Sequence, residues 1–268
     1  MGILNDIGMV IHFRKDVPDR LRNLETVLKF YKNTGLEIVI VNDDAVPDGC
    51  LKSLHDNYGC KILFLENTDV YHRTLCFNKG VKELKSSILI AGDTDVLVSI
   101  KYLQKAAEKL KQNANIGIIW PYNGMFVHII DKMAESFFET LDISLMESKI
   151  KDLKPEPYFT TEDFLVAHPQ SKGGMVMFNK ETFIKCNGYN PNFKGWGYED
   201  DEILARFQKL GYQISRINDA EAIAWHLPHE NTIREKHPYY ENNRMHSDFV
   251  CGSNNLDELR DYINSWSI

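Results

Sequence analysis

Three acidic residues in a row, Glu199-Asp200-Asp201, follow the turn Gly195-Trp196-Gly197-Tyr198. Neighbouring like charges raise one another's pKa and resist desolvation, so the cluster needs a source of positive potential. The stretch Glu202–Leu210, ended by Gly211, supplies a helix whose first free N–H groups and dipole favour anions. On that ground Asp200 is expected to be ionised and able to accept a proton. Far upstream, Asp93-Thr94-Asp95 closes an apolar run. Alternate side chains of an extended chain point the same way, so both carboxylates can converge on one hard cation. Mg²⁺ and Mn²⁺ take oxygen ligands, and Mg²⁺ is commonly held by one or two carboxylates with a substrate's phosphates. His226 closes another apolar run and completes a set with Asp93 and Asp95; a mixed N/O sphere suits Mn²⁺ better than Mg²⁺. His229 competes for that third place. Between His229 and Arg244, the side chains of Arg234, Lys236, His237 and Arg244 either face a diphosphate or form a solvated tail.

Each motif alone also has a plain structural reading: an acidic helix cap, an Asp-rich turn, a hydrogen-bonded core histidine. The elements that must position the motifs favour the chemical one. Ile7–Phe13, Glu37–Val41, Lys61–Leu65 and Ser87–Ala91 read as buried strands. Helices are expected from Pro18 to near Gly35, over Leu51–Tyr58 and over Tyr71–Leu84. Such β-α-β alternation predicts an α/β fold with a mostly parallel sheet covered on both faces. Ligands on these sheets bind beyond the carboxyl ends of the strands, where Arg14, Asp43, Asp44, Asp93 and Asp95 stand. Further on, helices over Ile100–Gln112 and 131–150 and a strand over Ile116–Trp120 are expected. Residues 154–171, with three prolines, read as a loop; 173–178 and Ala222–His226 read as strands, and Leu256–Trp266 as a closing helix.

Bulk properties set bounds. The 268 residues suffice for one large domain, read as a nucleotide-binding half (1–98), a second half (99–230) and a tail (231–268). Hydrophobic residues make up 43% and charged residues 26%, as in ordinary globular proteins. A net charge of −7 argues against nonspecific nucleic-acid binding. No apolar run reaches the length of a membrane span, so membrane association would be peripheral. With no secretory signal evident, and five cysteines lacking CxxC spacing, a cytoplasmic place is expected.

In this order the motifs resemble the nucleotide-sugar glycosyltransferases of the GT-A fold. The likeness is greatest to those related to the C-terminal region of β-1,4-galactosyltransferases and to bacterial family 2 capsule-type transferases. It runs over roughly residues 7–230: Phe13-Arg14, Arg73 with Asn78 and Gly80, Asp93-Thr94-Asp95, Gly173-Gly174 with Asn187-Gly188-Tyr189, and Gly197 to Asp201. The resemblance implies a GT-A fold with an acceptor-binding C-terminal half. It implies that Phe13, Arg14 and Arg73 hold the nucleotide, with Asp43 and Asp44 at the nucleobase and Asp44 on uracil. Asp93, Asp95 and His226 would hold Mn²⁺ or Mg²⁺. Gly173 and Gly174 would line the sugar site, and Glu199 and Asp201 would bind donor or acceptor hydroxyls. Trp196 would stack on a sugar or close as a lid hinged at Gly195 and Gly197. Asp200 would be the general base of an inverting reaction, since related retaining enzymes that modify polypeptides carry Glu-Asn there. The implied donor is a UDP-hexose or UDP-N-acetylhexosamine, and the acceptor a glycan, glycolipid, protein or modified DNA, as in polysaccharide biosynthesis. Tyr198 departs from the pattern, standing where the family has a second glycine. A retaining enzyme and a non-catalytic nucleotide-sugar binder are the alternatives; a nucleotidyltransferase would want glycines after strand one, and residues 12–16 have none.

Overall fold

A computed structural model describes residues 2–150, 160–168, 170–230 and 237–268. Along the chain run β1 (Ile7–Phe13), α1 (Asp19–Tyr31), β2 (Glu37–Asp44), α2 (Leu51–Tyr58), β3 (Lys61–Glu66), α3 (Arg73–Glu83), β4 (Ile88–Gly92) and β5 (Val96–Leu97). Next come α4 (Ile100–Gln112), β6 (Ile116–Trp120), β7 (Phe126–Ile129), α5 (Asp131–Thr140), α6 (Ile143–Ile150), β8 (Phe164–His168) and β9 (Met175–Asn179). The chain continues through α7 (Lys180–Lys185), α8 (Glu199–Lys209), β10 (Gln213–Arg216), β11 (Ala224–His226), α9 (Tyr240–Gly252) and α10 (Leu256–Ile263).

Seven strands form the main sheet in the order β10-β6-β9-β4-β1-β2-β3. Neighbours are parallel except around β9, which runs antiparallel to β4 and β6. Every residue of β1 and β4 is buried, as strands covered on both faces require. Helix α1 turns Leu24, Val27, Leu28 and Tyr31 inward at helical spacing. The fold is therefore the expected mixed α/β arrangement with a mostly parallel sheet.

A second sheet, β5-β11-β7-β8, lies at the end of the strand that carries Asp93. Here the expectations fail in detail. Residues 164–168, read as loop, form β8 against β7. The prolines masked its period-2 pattern, in which Phe164 and Val166 are buried and Leu165 is not. Of that expected loop, 151–159 and 169 lie outside the described residues. The helix expected over 131–150 is two helices, parted where Leu141 takes a left-handed φ of 54°. The polar stretch 240–252 is a helix, held to the segment before Trp196 by Asn243, which accepts from the Lys194 N–H and donates to the Lys194 carbonyl (2.9 Å).

Candidate active site

Backbone pairing builds the first part of the site. β11 runs antiparallel to β5, placing His226 opposite Val96, and the Leu227 N–H donates to the Asp95 carbonyl at 2.8 Å. Asp95 and His226 are thus locked side by side by the ladder. His229, one turn of chain further, returns to the same place: Nε2 of His226 is 3.6 Å from Asp95 Oδ1, and Nε2 of His229 is 3.4 Å from Oδ2. Ligand atoms of Asp95, His226 and His229 all lie within 4.8 Å of one another. Burial holds the His226 imidazole well below its ordinary pKa, hence neutral, and its Nδ1 is buried with no hydrogen-bond partner among the described residues. A neutral imidazole with an unspent lone pair is what a metal ligand requires. The parallel neighbour β7 sets His128 level with His226, the two rings 4.4 Å apart. One carboxylate and two imidazoles can hold a divalent ion of the transition series. Both histidines singled out in the sequence are brought to Asp95.

Asp93 is not brought there. The chain turns at Thr94-Asp95 instead of staying extended, and the Asp93 carboxylate is taken up by other partners. Gly174, at φ 83°, pins Asp93 by accepting its N–H at 2.9 Å; a side chain at 174 would sit 2.6 Å from Phe126. Asp93 Oδ1 then lies 2.9 Å from His12 Nε2 and 3.2 Å from Arg73 Nη2.

Arg73 opens α3 and is the hub of the second part. Its side chain is 9% exposed and reaches Asp93, Glu199 (3.4 Å) and Asp200 (3.3 Å), with Phe77 against its face at 4.8 Å. The helix is seated by its neighbours. Asp43 accepts the His72 N–H at 2.7 Å, Asn78 exchanges hydrogen bonds with the Tyr189 backbone, and Gly80 lies so close to Val10 that a Cβ would be 2.4 Å from it. From the other side α8 brings its first turn, anchored by the buried pair Arg206–Glu202. Glu199 also receives the Gly197 N–H at 3.0 Å. One guanidinium thus faces three carboxylates. Asp93 is held far below the usual carboxylate range by Arg73 and His12, despite its burial. Asp200 goes the other way: burial, only partly offset by Arg73 and reinforced by Glu199, pushes it up to about 7. The helix N-terminus expected to keep Asp200 ionised is outweighed by desolvation. Glu199 is raised as well, by burial first.

The remaining predicted residues divide by what already occupies them. The Phe13 ring is buried in the core. Arg14 donates to the carbonyls of Asp43, Asn67 and Asp69, and the buried Asp43 carboxylate accepts from Asn67 as well as His72. Asp44, at the end of β2, has its carboxylate on its own loop, at the Ala45 N–H. Gly173 abuts Asp200: a Cβ there would be 3.1 Å from Oδ2. Asp201 faces outward to Lys172. Trp196 is 52% exposed and stacks parallel to Tyr240, its backbone held by His237. Tyr198 adopts φ 70°, a left-handed conformation suited to glycine, and its hydroxyl meets that of Tyr240 at 3.1 Å. Of the cations expected near a diphosphate, Arg244 pairs with Glu241, His237 serves Trp196, and Arg234 and Lys236 lie outside the described residues. The sequence reading missed Arg20, on Asp95, and His12, on Asp93. Neither belongs to a motif, and only three-dimensional proximity reveals them.

Comparison with known proteins gives concordant findings. Residues 10–167 match the family model described as glycosyl transferase family 2, and residues 161–230 match the one described as the N-terminal domain of galactosyltransferase. Mouse β-1,4-galactosyltransferase 1 is 40% identical over 55 residues, which are 20% of this chain and 14% of the relative. Human β-1,4-galactosyltransferase 5 is 34% identical over 68 residues, 25% of this chain and 18% of the relative. The matched part is thus under a fifth of these relatives' length. In overall fold the chain is similar to GalNAc-T7 solved with UDP, GalNAc and Mn²⁺ (TM-score 0.60, 16% identity, 97% of this chain and 50% of that one). It is also similar to a mannosyltransferase of Pyrobaculum calidifontis solved with GDP-Man and Mn²⁺ (TM-score 0.51, 13% identity, 91% of this chain and 69% of that one). No helix among the described residues is long and apolar enough to cross a membrane.

Proposed function

The chain belongs to glycosyl transferase family 2, a glycosyltransferase of GT-A fold, and from that premise we propose that it transfers a hexose or N-acetylhexosamine from a UDP-sugar to a hydroxyl of a glycan-type acceptor, with inversion. In this reading Asp200 is the general base. The observation that carries it is the Arg73 hub, which ties Asp200 to Asp93, two residues from the Asp95–His226–His229 cluster. Base and donor-side groups thereby belong to one connected set of charges. A divalent ion held by Asp95, His226 and His229 would offset the charge left on the departing diphosphate. Mn²⁺ suits the two nitrogens better than Mg²⁺, and the Mn²⁺ in both similar structures supports that choice.

The chain's own residues do the rest. An Asp with its carboxyl near 7 is matched to accepting a proton from a hydroxyl at neutral pH. Gly173 leaves room directly against that carboxylate. Arg73 orients it and would stabilise it once deprotonated. Trp196, exposed beside Tyr240, offers a flat apolar face to a sugar ring. Asp44, at a strand's carboxyl end, would be the residue to meet a nucleobase, while Arg14 donates to the carbonyl of the buried Asp43 beside it. The test is a screen of UDP- and GDP-sugars for nucleotide release, with Mn²⁺ and with chelator, followed by the anomeric configuration of the product. Release from one UDP-sugar above the others, only with metal and with inverted product, is expected. Metal-independent release or a retained anomer would refute the reading.

A further inference from the structure

Asp95 already has a cation on it. Arg20, in the first turn of α1, donates from Nη1 to Asp95 Oδ2, with Thr94 Oγ1 3.5 Å from the same nitrogen and Asp16 Oδ1 3.2 Å from Nε. The oxygen it occupies is the one His229 faces at 3.4 Å. The start of α1 is also clamped to the segment that carries His229. Arg22 and Asn23 both donate to the Pro228 carbonyl (2.9 and 3.1 Å), and the Glu230 N–H donates to Asp19 at 3.1 Å.

We infer that Arg20 is an exchangeable counter-ion: it neutralises Asp95 when no divalent ion is bound, and turns to the donor's diphosphate when ion and nucleotide bind together. The inference rests on the reading that Asp95, His226 and His229 hold that ion. Asp95 is 4% exposed, and an ionised carboxylate so buried needs a compensating charge. Arg20, in direct contact with the carboxylate, supplies that charge in the present arrangement. A divalent ion ligated by Asp95 would meet the guanidinium at the same carboxylate, and two cations there repel. Arg20 is able to leave. Its side chain is 19% exposed, and Asp16 remains as a partner at 36% exposure. Its planar fork of donors matches phosphate oxygens. Two negative charges of a nucleoside diphosphate would therefore replace the one that Arg20 gives up.

The test measures binding to the full chain by titration calorimetry, first with MnCl₂ alone and then with UDP at saturating Mn²⁺, for wild type, Arg20→Gln and Arg20→Lys. Removing the competing cation should tighten Mn²⁺ binding in Arg20→Gln about tenfold. UDP should bind the same variant about tenfold more weakly, because a charge-assisted contact is lost. Arg20→Lys should recover most of the UDP affinity and lose the gain for Mn²⁺. Unchanged or weaker Mn²⁺ binding in Arg20→Gln overturns the exchange, and unchanged UDP binding overturns the diphosphate contact. Failure of wild type to bind Mn²⁺ overturns the underlying reading too, and is told apart because it precedes any substitution.

Discussion

The two parts of the site are built by different means. Around Asp95 the positions come from backbone pairing: His226 stands opposite Val96 across one ladder and level with His128 across another. Around Asp200 they come from side-chain charges and a turn in which Gly195, Gly197 and Tyr198 all have positive φ (68°, 111° and 70°). Ladder hydrogen bonds hold several residues in register at once, so one substitution among the side chains leaves the frame standing. A charge cluster with one guanidinium and three carboxylates has no such redundancy. On the reading proposed above, the first part would hold a fixed ligand set and the second would change state by titration.

The sharpest way to break this contrast is Asp200→Asn. Transfer should fall about 10³-fold, the scale of a lost general base, while UDP binding in the presence of Mn²⁺ stays largely intact. The same change should stabilise the fold. At pH 8 the wild-type carboxylate is charged among two others, and an amide of the same shape relieves that repulsion, raising Tm by about 2–4 °C. At pH 5, where Asp200 already holds its proton, the gain should shrink towards nothing. Loss of activity with unchanged Tm at pH 8 would mean that Asp200 is not under electrostatic strain.

On the ladder side, His226→Ala and His229→Ala should each weaken Mn²⁺ binding at least tenfold, the scale on which even outer-shell partners act. Both should keep the wild-type circular dichroism spectrum, because the β5–β11 pairing does not need either imidazole. If one variant binds Mn²⁺ like wild type, the cluster has one nitrogen ligand, not two.

The same division explains what could be read from the sequence. Clustered carboxylates at a strand end and a helix start stand out, because charge beside apolar runs is unusual, and Asp93, Asp95, Glu199, Asp200 and Asp201 were all visible that way. The alternation of the first half made the parallel sheet legible. Arg73 was visible only through its spacing to Asn78 and Gly80. That it meets Glu199 and Asp200, more than a hundred residues on, follows from how α3 and α8 pack, which no local pattern encodes. Arg20 and His12 were invisible for the same reason. That Asp93 pairs with His12 and Arg73 follows a local bend at Thr94, where extended alternation was the natural expectation. The missed β7 and β8 are short, and proline beyond His168 disguised the second.

The pH dependence sharpens the comparison further. The Asp200 carboxyl sits at about 7 against an ordinary 3.8. As a base it works only when deprotonated, so kcat/KM should rise about fivefold from pH 6 to 7, roughly tenfold from pH 6 to 8, and level off above that. Stability runs the opposite way. A carboxyl whose pKa is raised on folding contributes stability that is present below about 4 and is lost as pH climbs through 7. The enzyme should therefore gain activity while losing stability across the same interval. A plateau of activity extending down to pH 5 would place the titrating base elsewhere.

The smallest effect isolates the backbone of the turn. Tyr198 holds φ 70° and also packs its ring against Tyr240, 5.2 Å between centroids. Tyr198→Ala removes the ring and keeps a Cβ in the left-handed region; Tyr198→Gly removes both. The difference between these two variants is free of the lost ring contact, which is common to them, and sets the relief of left-handed strain against the greater freedom of glycine in the unfolded chain. A non-glycine residue in this region costs about 1 kcal/mol, so the glycine variant should be the more stable by up to that amount in urea unfolding, with an unchanged m-value. A glycine variant no more stable than the alanine one would mean that the turn relaxes freely at position 198. The left-handed φ would then be a consequence of the Tyr198–Tyr240 contact.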